Sequence, residues 1–193
     1  LSLTPYNGFY VYWSHSDIAV TNIACSKTVV GQGYCLPINV TMKNQGDYIE
    51  IFNANVYANT SAIASLASIM LANGSSTTVT SLWNTTGFAK GNYTINATAD
   101  TVLGETDTTD NTYTDGWVIV AMVGDITGPG GVPDGKVDIR DVATVARAYG
   151  AYPGHPRWNP NADITGPTTG VPDNQVDIRD VGTVAIRFGQ IDP

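Results

Sequence analysis

The sequence predicts a mainly β protein, a sandwich of about a hundred residues followed by a small α domain of two loop–helix units. Three observations carry this. Between residues 17 and 122, short runs of alternating apolar and polar residues recur with turn signals between them, as strands with one buried face require. From Gly124 the chain reads GDITGPGGVPDGKVDIRDV, and from Ala162 it reads ADITGPTTGVPDNQVDIRDV, the same acidic stretch twice. After each copy the apolar residues recur with helical period.

Residues 1–16, LSLTPYNGFYVYWSHS, form an aromatic preface. GFYVYW is strongly β-prone and apolar, so one reading is an extra edge strand of the sandwich. The other is a donor strand that adds to the sheet of a neighbouring subunit and builds a head-to-tail filament. A strand this apolar is an aggregation hazard when it pairs with nothing. The chain opens at Leu1 rather than Met, which suggests a processed or trimmed N-terminus; no signal peptide is visible.

Residues 17–123 read as the sandwich. In INVTMKN, Ile38, Val40 and Met42 point inward and Asn39, Thr41 and Lys43 outward. IFNANVYA places Phe52, Ala54, Val56 and Ala58 on one face, and NYTINATA does the same with Tyr93, Ile95, Ala97 and Ala99. GWVIVAMV closes the set, and NQGD, ANGSS, AKGN and ETDTTDN read as turns. About seven strands in this length is the pattern of an immunoglobulin-like sandwich.

Six Asn-x-Ser/Thr sequons lie in this region, at Asn39, Asn59, Asn73, Asn84, Asn92 and Asn96. Asn39, Asn92 and Asn96 fall on outward strand positions, where a glycan has room. The alternative is a Thr/Asn-rich exposed face without sugar. Cys25 and Cys35 flank SKTVVGQGY. In an oxidising compartment they would close a small loop and stabilise the fold by ~2–3 kcal/mol; otherwise they are two buried thiols.

Residues 124–193 contain the repeat. Asp134, Asp138 and Asp141 recur as Asp173, Asp177 and Asp180, and Asp125 recurs as Asp163. Calcium takes six to eight oxygens, several of them carboxylates, and the 12-residue calcium loop supplies them from positions 1, 3, 5, 7, 9 and 12. DGKVDIRD fits positions 5 to 12: Asp134 at 5, Gly135 at the sharp turn, the Lys136 carbonyl at 7, Asp138 at 9 and Asp141 at 12. Asp125 and Thr127 stand at positions 1 and 3. The second loop offers Asp163, Thr165, Asp173, the Gln175 carbonyl, Asp177 and Asp180. Asn174 replaces the turn glycine, and Asn tolerates the left-handed conformation. Asp138 and Asp141 lie three apart on a first helical turn, which directs both to one side. Four carboxylates converging without a cation would repel strongly, so two calcium ions are the expected cofactors. The insertions Gly128–Pro133 and Gly166–Pro172 interrupt each loop; either they bulge out and leave Asp125 and Asp163 in place, or they replace a ligand with a backbone carbonyl. The following helices are expected to share faces of Ile139, Val142, Val145, Ala146 and Tyr149, and of Ile178, Val181, Val184, Ala185 and Phe188, stopping at Gly150 and Gly189.

The stretches DIAVTNIACSKTVVGQGYCLPINVTMKNQGDYIEIFNANVYAN and WNTTGFAKGNYTINATADTVLGETDTTDNTYTDGWVIV resemble the cell-adhesion-related CARDB family of immunoglobulin-like modules. That resemblance implies the sandwich fold and an extracellular setting, and no catalysis. The paired loops, with Asp rather than Glu at the last position, are similar to dockerin type I modules. This second resemblance implies two calcium loops packing their helices with pseudo-twofold symmetry. In cellulosomes such modules bind cohesin domains.

The function classes narrow accordingly. The net charge of −8 argues against nucleic acid, which needs clustered Lys and Arg. Of the 17 acidic residues only Glu50 and Glu105 are not Asp, and Asp favours turns and cation shells. No stretch is long and apolar enough to span a membrane. His15 and His155 join no nucleophile or base, and calcium accounts for the clustered carboxylates that a glycosidase pair would need. Two non-enzymatic readings stand at the cell surface: a calcium-stabilised, N-glycosylated subunit of a filament or layer, partnered by copies of itself, or an adaptor docking on a cohesin-like protein.

Overall fold

The structure, a computed structural model, describes residues 3–6, 9–12 and 14–192. Strands β1 (Leu3–Tyr6) and β2 (Phe9–Tyr12) pair antiparallel with each other, from Leu3 opposite Tyr12 to Tyr6 opposite Phe9. They form a two-stranded sheet of their own, so these two strands do not add to the sandwich as the edge-strand alternative has it. Leu1, Ser2, Asn7, Gly8 and Trp13 of that segment lie outside the described residues.

Eight strands build the sandwich: β3 (Ile18–Cys25), β4 (Val29–Gly31), β5 (Cys35–Asn44), β6 (Glu50–Ala58), β7 (Ser61–Leu71), β8 (Ser76–Asn84), β9 (Gly91–Ala99) and β10 (Thr112–Ala121). One sheet has the order β4-β10-β9-β6-β7 and the other β3-β5-β8. The alternation holds where it is expected. Ile38, Val40, Met42, Phe52, Ala54, Val56, Ala58, Ile95, Ala97 and Ala99 are all buried. Strand β4 pairs parallel with β10, Val29 opposite Ile119. Strand β7 hides from a period-2 reading because its pairing with β6 shifts register twice, between Phe52 and Ala54 and between Val56 and Tyr57, as β-bulges do.

Two compact units divide the chain across these strands, residues 1–24, 39–80 and 96–115 in one, and 25–38, 81–95 and 116–193 in the other. The first is packed around Ile18, Val20, Val40, Met42, Phe52 and Val56. The second holds Leu36, Ile38, Val118 and Val120 with Trp83, which is 1% exposed. Trp83, Phe88 and Tyr93 meet edge to face, with ring centroids 5.1 to 5.7 Å apart, the geometry their ring quadrupoles favour.

The second unit also contains helices α1 (Ile139–Ala148) and α2 (Ile178–Ala185). Asp138 and Asp177 cap their N-termini, each in a capping box with Asp141 or Asp180, so the acids meet both orphan amides and the positive dipole end. The buried faces match the expected ones in part: Val145 and Val184 are buried and Val142 and Val181 pack against them, while the ends of each expected stripe are not. Ile139, Tyr149, Ile178 and Phe188 are exposed at 65, 49, 66 and 58%, and Ala146 and Ala185 are also exposed. The core is Ile126, Val137, Val145, Ala148, Ala162, Ile164, Val176 and Val184. Four of these come from the loops, which turns each helix toward the side bearing its N3 aspartate. Within this unit, the segment leaving each helix pairs with the loop of the other repeat: Gly150 N donates to Val176 O (2.8 Å) and Gly189 N to Val137 O (2.8 Å). That exchange buries Val137 and Val176 completely.

Candidate metal centre

Each loop is organised by two buried carboxylates that meet backbone amides. In the first loop Asp125 is 2% exposed. Its Oδ1 accepts from Asp134 N (3.3 Å) and its Oδ2 from Gly135 N (2.8 Å). Asp141 is fully buried; its Oδ1 accepts from Ile126 N (2.8 Å) and Thr127 N (3.0 Å), and its Oδ2 from Asp138 N (2.8 Å). The second loop repeats this bond for bond. Asp163 accepts from Asp173 N (3.2 Å) and Asn174 N (2.8 Å). Asp180 accepts from Ile164 N (2.7 Å), Thr165 N (2.9 Å) and Asp177 N (2.8 Å). Gly135 at φ +83° and Asn174 at φ +64° make the matching left-handed turn, which Gly enters without penalty and Asn with little.

The insertions loop out. A Cβ on Gly128 would lie 2.7 Å from Asp134 Cβ, and one on Gly166 would lie 2.6 Å from Asp173 Cβ. The two ends of each insertion therefore touch, and only glycine permits that approach. Gly131 N closes on Gly128 O (2.9 Å), and Gly166 N on Val171 O (2.6 Å). Asp125 and Asp163 thus stay in register with the residues that follow the bulge. The Thr165 hydroxyl accepts from Gly170 N (2.8 Å), inside the second bulge.

The expected convergence of four carboxylates does not occur. Asp138 turns to Arg140, whose Nη1 lies 2.8 Å from its Oδ2. Asp173 and Asp177 share Arg179, at 2.8 and 3.1 Å. An N-cap side chain points back along the helix start while the N3 side chain reaches into the loop, so the three-residue spacing separates this pair. Asp134, Lys136 and Gln175 are solvent-facing or at the rim, and the backbone of Lys136 bridges Ile191. Among the described residues, no three acidic, His or Cys side chains gather closely enough to hold a metal.

The donor chemistry nevertheless suits a hard cation. A carboxylate offers about four lone-pair sites, and the bonds above fill two on Asp125 and three on Asp141. Burial pushes the Asp125 carboxyl up to about 6, against its two N–H bonds and with added repulsion from Asp141 and Asp134. Burial likewise pushes Asp163 up to about 6 and raises Asp180. These are negative charges held out of water with oxygen lone pairs to offer, as a calcium loop requires.

Sequence reasoning passed over Lys27. It is 5% exposed, and its Nζ donates to the Asp163 carbonyl oxygen at 2.6 Å. Burial pulls its pKa down to about 8, while Asp163 and Asp180 pull the other way. Around it, Asn161 Oδ1 accepts from Thr28 N (3.0 Å) and Val29 N (3.1 Å), and Cys35 N donates to Gly170 O (2.7 Å). A lone lysine in SKTVV carries no local signal of this.

Of the sequon asparagines, Asn39, Asn59, Asn73, Asn84 and Asn92 are exposed. Asn96 is half-buried, and its amide donates to the Asn59 carbonyl at 3.3 Å. Cys25 ends β3 and Cys35 begins β5, neighbours in one sheet. Both are half-buried, and burial raises the Cys35 pKa.

The CARDB family pattern matches residues 15–115. The chain belongs to the CARDB family. A CARDB domain of Pyrococcus furiosus, solved in complex with di-metal ions, is 27% identical to it over 58% of this chain and 99% of that one, with a TM-score of 0.49. A domain from Methanosarcina acetivorans is 21% identical over 55% of this chain and 92% of that one, at a TM-score of 0.45. A β-glucosidase of Erythrobacter marinus is 13% identical over 55% of this chain and 16% of that one, at 0.41. No curated protein matches the chain. The CARDB match ends before the paired acidic loops begin, so those loops stand on their own geometry. Among the described residues no helix is long and apolar enough to cross a membrane.

Proposed function

We propose that this CARDB protein is a non-catalytic, extracellular structural module, a surface-filament or surface-layer subunit whose dockerin-like loop pair is held by two calcium ions. The observation that carries the calcium reading is the bond-for-bond repetition of the two loops around buried Asp125/Asp141 and Asp163/Asp180. Asp125, Thr127, Asp134, Asp138 and Asp141, with the Lys136 carbonyl, would hold the first ion once Asp138 leaves Arg140. Asp163, Thr165, Asp173, Asp177 and Asp180, with the Gln175 carbonyl, would hold the second once Asp173 and Asp177 leave Arg179. Bound calcium supplies positive charge against these carboxylates and so ties the loops to the helices. Asn39, Asn59, Asn73, Asn84 and Asn92 carry glycans on this reading, and Cys25 pairs with Cys35 in an oxidising setting. Assembly uses the segment before β3, which adds a strand to the next copy once β1 and β2 part.

Negative-stain electron microscopy of the purified chain, with calcium and with chelator, tests this. Regular filaments that vanish on deleting residues 1–13 are the expected result. Monodisperse particles under both conditions overturn assembly. That result would favour docking on a cohesin-like protein, a reading supported by Ile139 and Ile178, equivalent helix-start residues exposed at 65 and 66%.

A further inference from the structure

A second group of acids lies in the first compact unit, where the residues before β3, after β5 and before β10 come together. Most of its members are satisfied. Glu105 Oε1 accepts from Ile18 N (2.8 Å) and Asn111 Nδ2 (3.1 Å), and its Oε2 accepts from Val102 N (2.8 Å). Asp107 Oδ1 accepts from the Thr109 amide (3.0 Å) and hydroxyl (2.6 Å). Asp47 Oδ2 lies 3.1 Å from His15 N and 3.2 Å from its Nδ1.

Asp17 and Asp110 are different. Gln45 joins them, donating from its backbone N–H to the Asp17 carbonyl oxygen (2.9 Å) and from its Nε2 to Asp110 Oδ2 (2.8 Å). The remaining oxygens, Asp17 Oδ1 and Asp110 Oδ1, are shut off from solvent and accept from no donor. The same is true of Asn111 Oδ1, on a residue only 3% exposed. Asn111 is fixed by its Nδ2 bond to Glu105, at the oxygen that also holds the Ile18 amide beside Asp17. Only five buried side-chain polar atoms lack a partner among the described residues, and three of them belong to this one cluster. Buried acceptors are almost always satisfied. Burial raises both aspartates from their ordinary value, and Asp110 and Glu105 raise Asp17 further.

We propose that Asp17 Oδ1, Asp110 Oδ1 and Asn111 Oδ1 are the protein ligands of a divalent cation of the calcium–magnesium–manganese class. All three donors are hard oxygens, two of them charged, which suits those ions and not a thiolate- or imidazole-seeking metal. His15 Nε2 approaches only the other Asp17 oxygen, at 3.9 Å, so it offers no ligand. One ion meets three unsatisfied acceptors and offsets the repulsion between neighbouring carboxylates. Asp17 precedes the first sandwich strand and Asp110 precedes the last, so the ion ties the two ends of the sandwich sequence together. This site is separate from the paired loops and does not depend on their binding calcium.

Nuclear magnetic resonance of the full chain with added Mn²⁺ alone tests it. Paramagnetic broadening of the Asp17, Gln45 and Asn111 amides at substoichiometric Mn²⁺ is expected. The Asp17→Asn, Asp110→Asn double variant keeps the shape and removes one charge from each ligand. It should lose that broadening, weaken Mn²⁺ binding there at least about tenfold, and retain one ion fewer per chain after gel filtration. Loop amides between 125–141 and 163–180 should respond as before in the variant. Their silence, with the first three still broadened, sinks the loop calcium reading and leaves this one standing. Sharp signals for Asp17, Gln45 and Asn111 in a tenfold excess of Mn²⁺ overturn the proposal and assign the three oxygens to a shared proton or ordered water. The unmodified protein decides that point even where the variant does not fold.

Discussion

Asp141 and Asp180 are completely buried, and each holds three backbone N–H groups that lie on both sides of its loop. Removing such an acceptor strands several donors at once, and charged hydrogen bonds are the stronger kind. Asp141→Ala or Asp180→Ala is therefore expected to destabilise the chain by about 2–4 kcal/mol, read as a lowered denaturation midpoint. A loss below ~1 kcal/mol would mean the amides find other partners. Asp125 and Asp163 set a pH dependence. Their folded pKa values of about 6 lie above the usual 3.8, so without metal the folded state binds protons more tightly than the unfolded chain. Their stabilising contribution is full below the unfolded value and is lost as pH rises through about 6. Chelated protein should melt higher at pH 5 than at pH 7. With saturating calcium the order should reverse, because the ligands must be deprotonated. Calorimetry at the two pH values checks both halves, and a chelated protein that loses stability on acidification contradicts the burial argument.

At the scale of elements, the two insertions look equivalent in sequence and differ in what they touch. The first, Gly128–Pro133, closes on itself through Gly131 N and Gly128 O. The second presents the Gly170 carbonyl to Cys35 N at 2.7 Å, and a Cβ on Gly170 would meet the Tyr34 ring at 3.1 Å. Replacing Gly128–Pro133 with one residue should leave the melting temperature within a few degrees. The same shortening of Gly166–Pro172 should cost more, since it removes a backbone bond and exposes Tyr34. Equal losses in thermal melts would show that the second bulge contributes nothing beyond closing its loop. Strands were legible where one face is buried along the whole run, as in β5, β6 and β9. Strand β7 was not, because bulges reset its alternation and much of both faces is exposed. The helices were legible in place but not in rotation, and α2 ends at Ala185, short of the expected stop at Gly189. Ile139 and Ile178 fit a helical stripe, yet the buried loop residues Ile126, Val137, Ile164 and Val176 claim the other side.

For the whole molecule, residues 124–193 share one compact unit with parts of the sandwich chain. Lys27, Asn161 and Gly170 supply the joints, and Lys90 pairs with Asp192. Lys27→Met keeps the apolar stem, removes the buried ammonium and leaves the Asp163 carbonyl without a donor. It is expected to lower the melting temperature, by an amount equivalent to about 1–3 kcal/mol. An isolated 124–193 fragment should melt below the same residues in the full chain, and the same variant should narrow that gap. Matching melting temperatures for fragment and full chain would mean the joints are energetically idle.

What can be read locally from this chain is its periodicity and its repetition. Alternating apolar residues mark the strands because a pleated strand has a two-residue period. The duplicated acids mark two equivalent loops because equal local sequences make equal turns, as Gly135 and Asn174 do. The choice among those acids belongs to the folded chain alone. Asp125 and Asp141 are buried on backbone amides while Asp138 faces Arg140, Lys27 meets a carbonyl 136 residues away, and three oxygens at Asp17, Asp110 and Asn111 are left unpartnered. Burial and charge pairing depend on which distant segments pack together, and no local pattern records that.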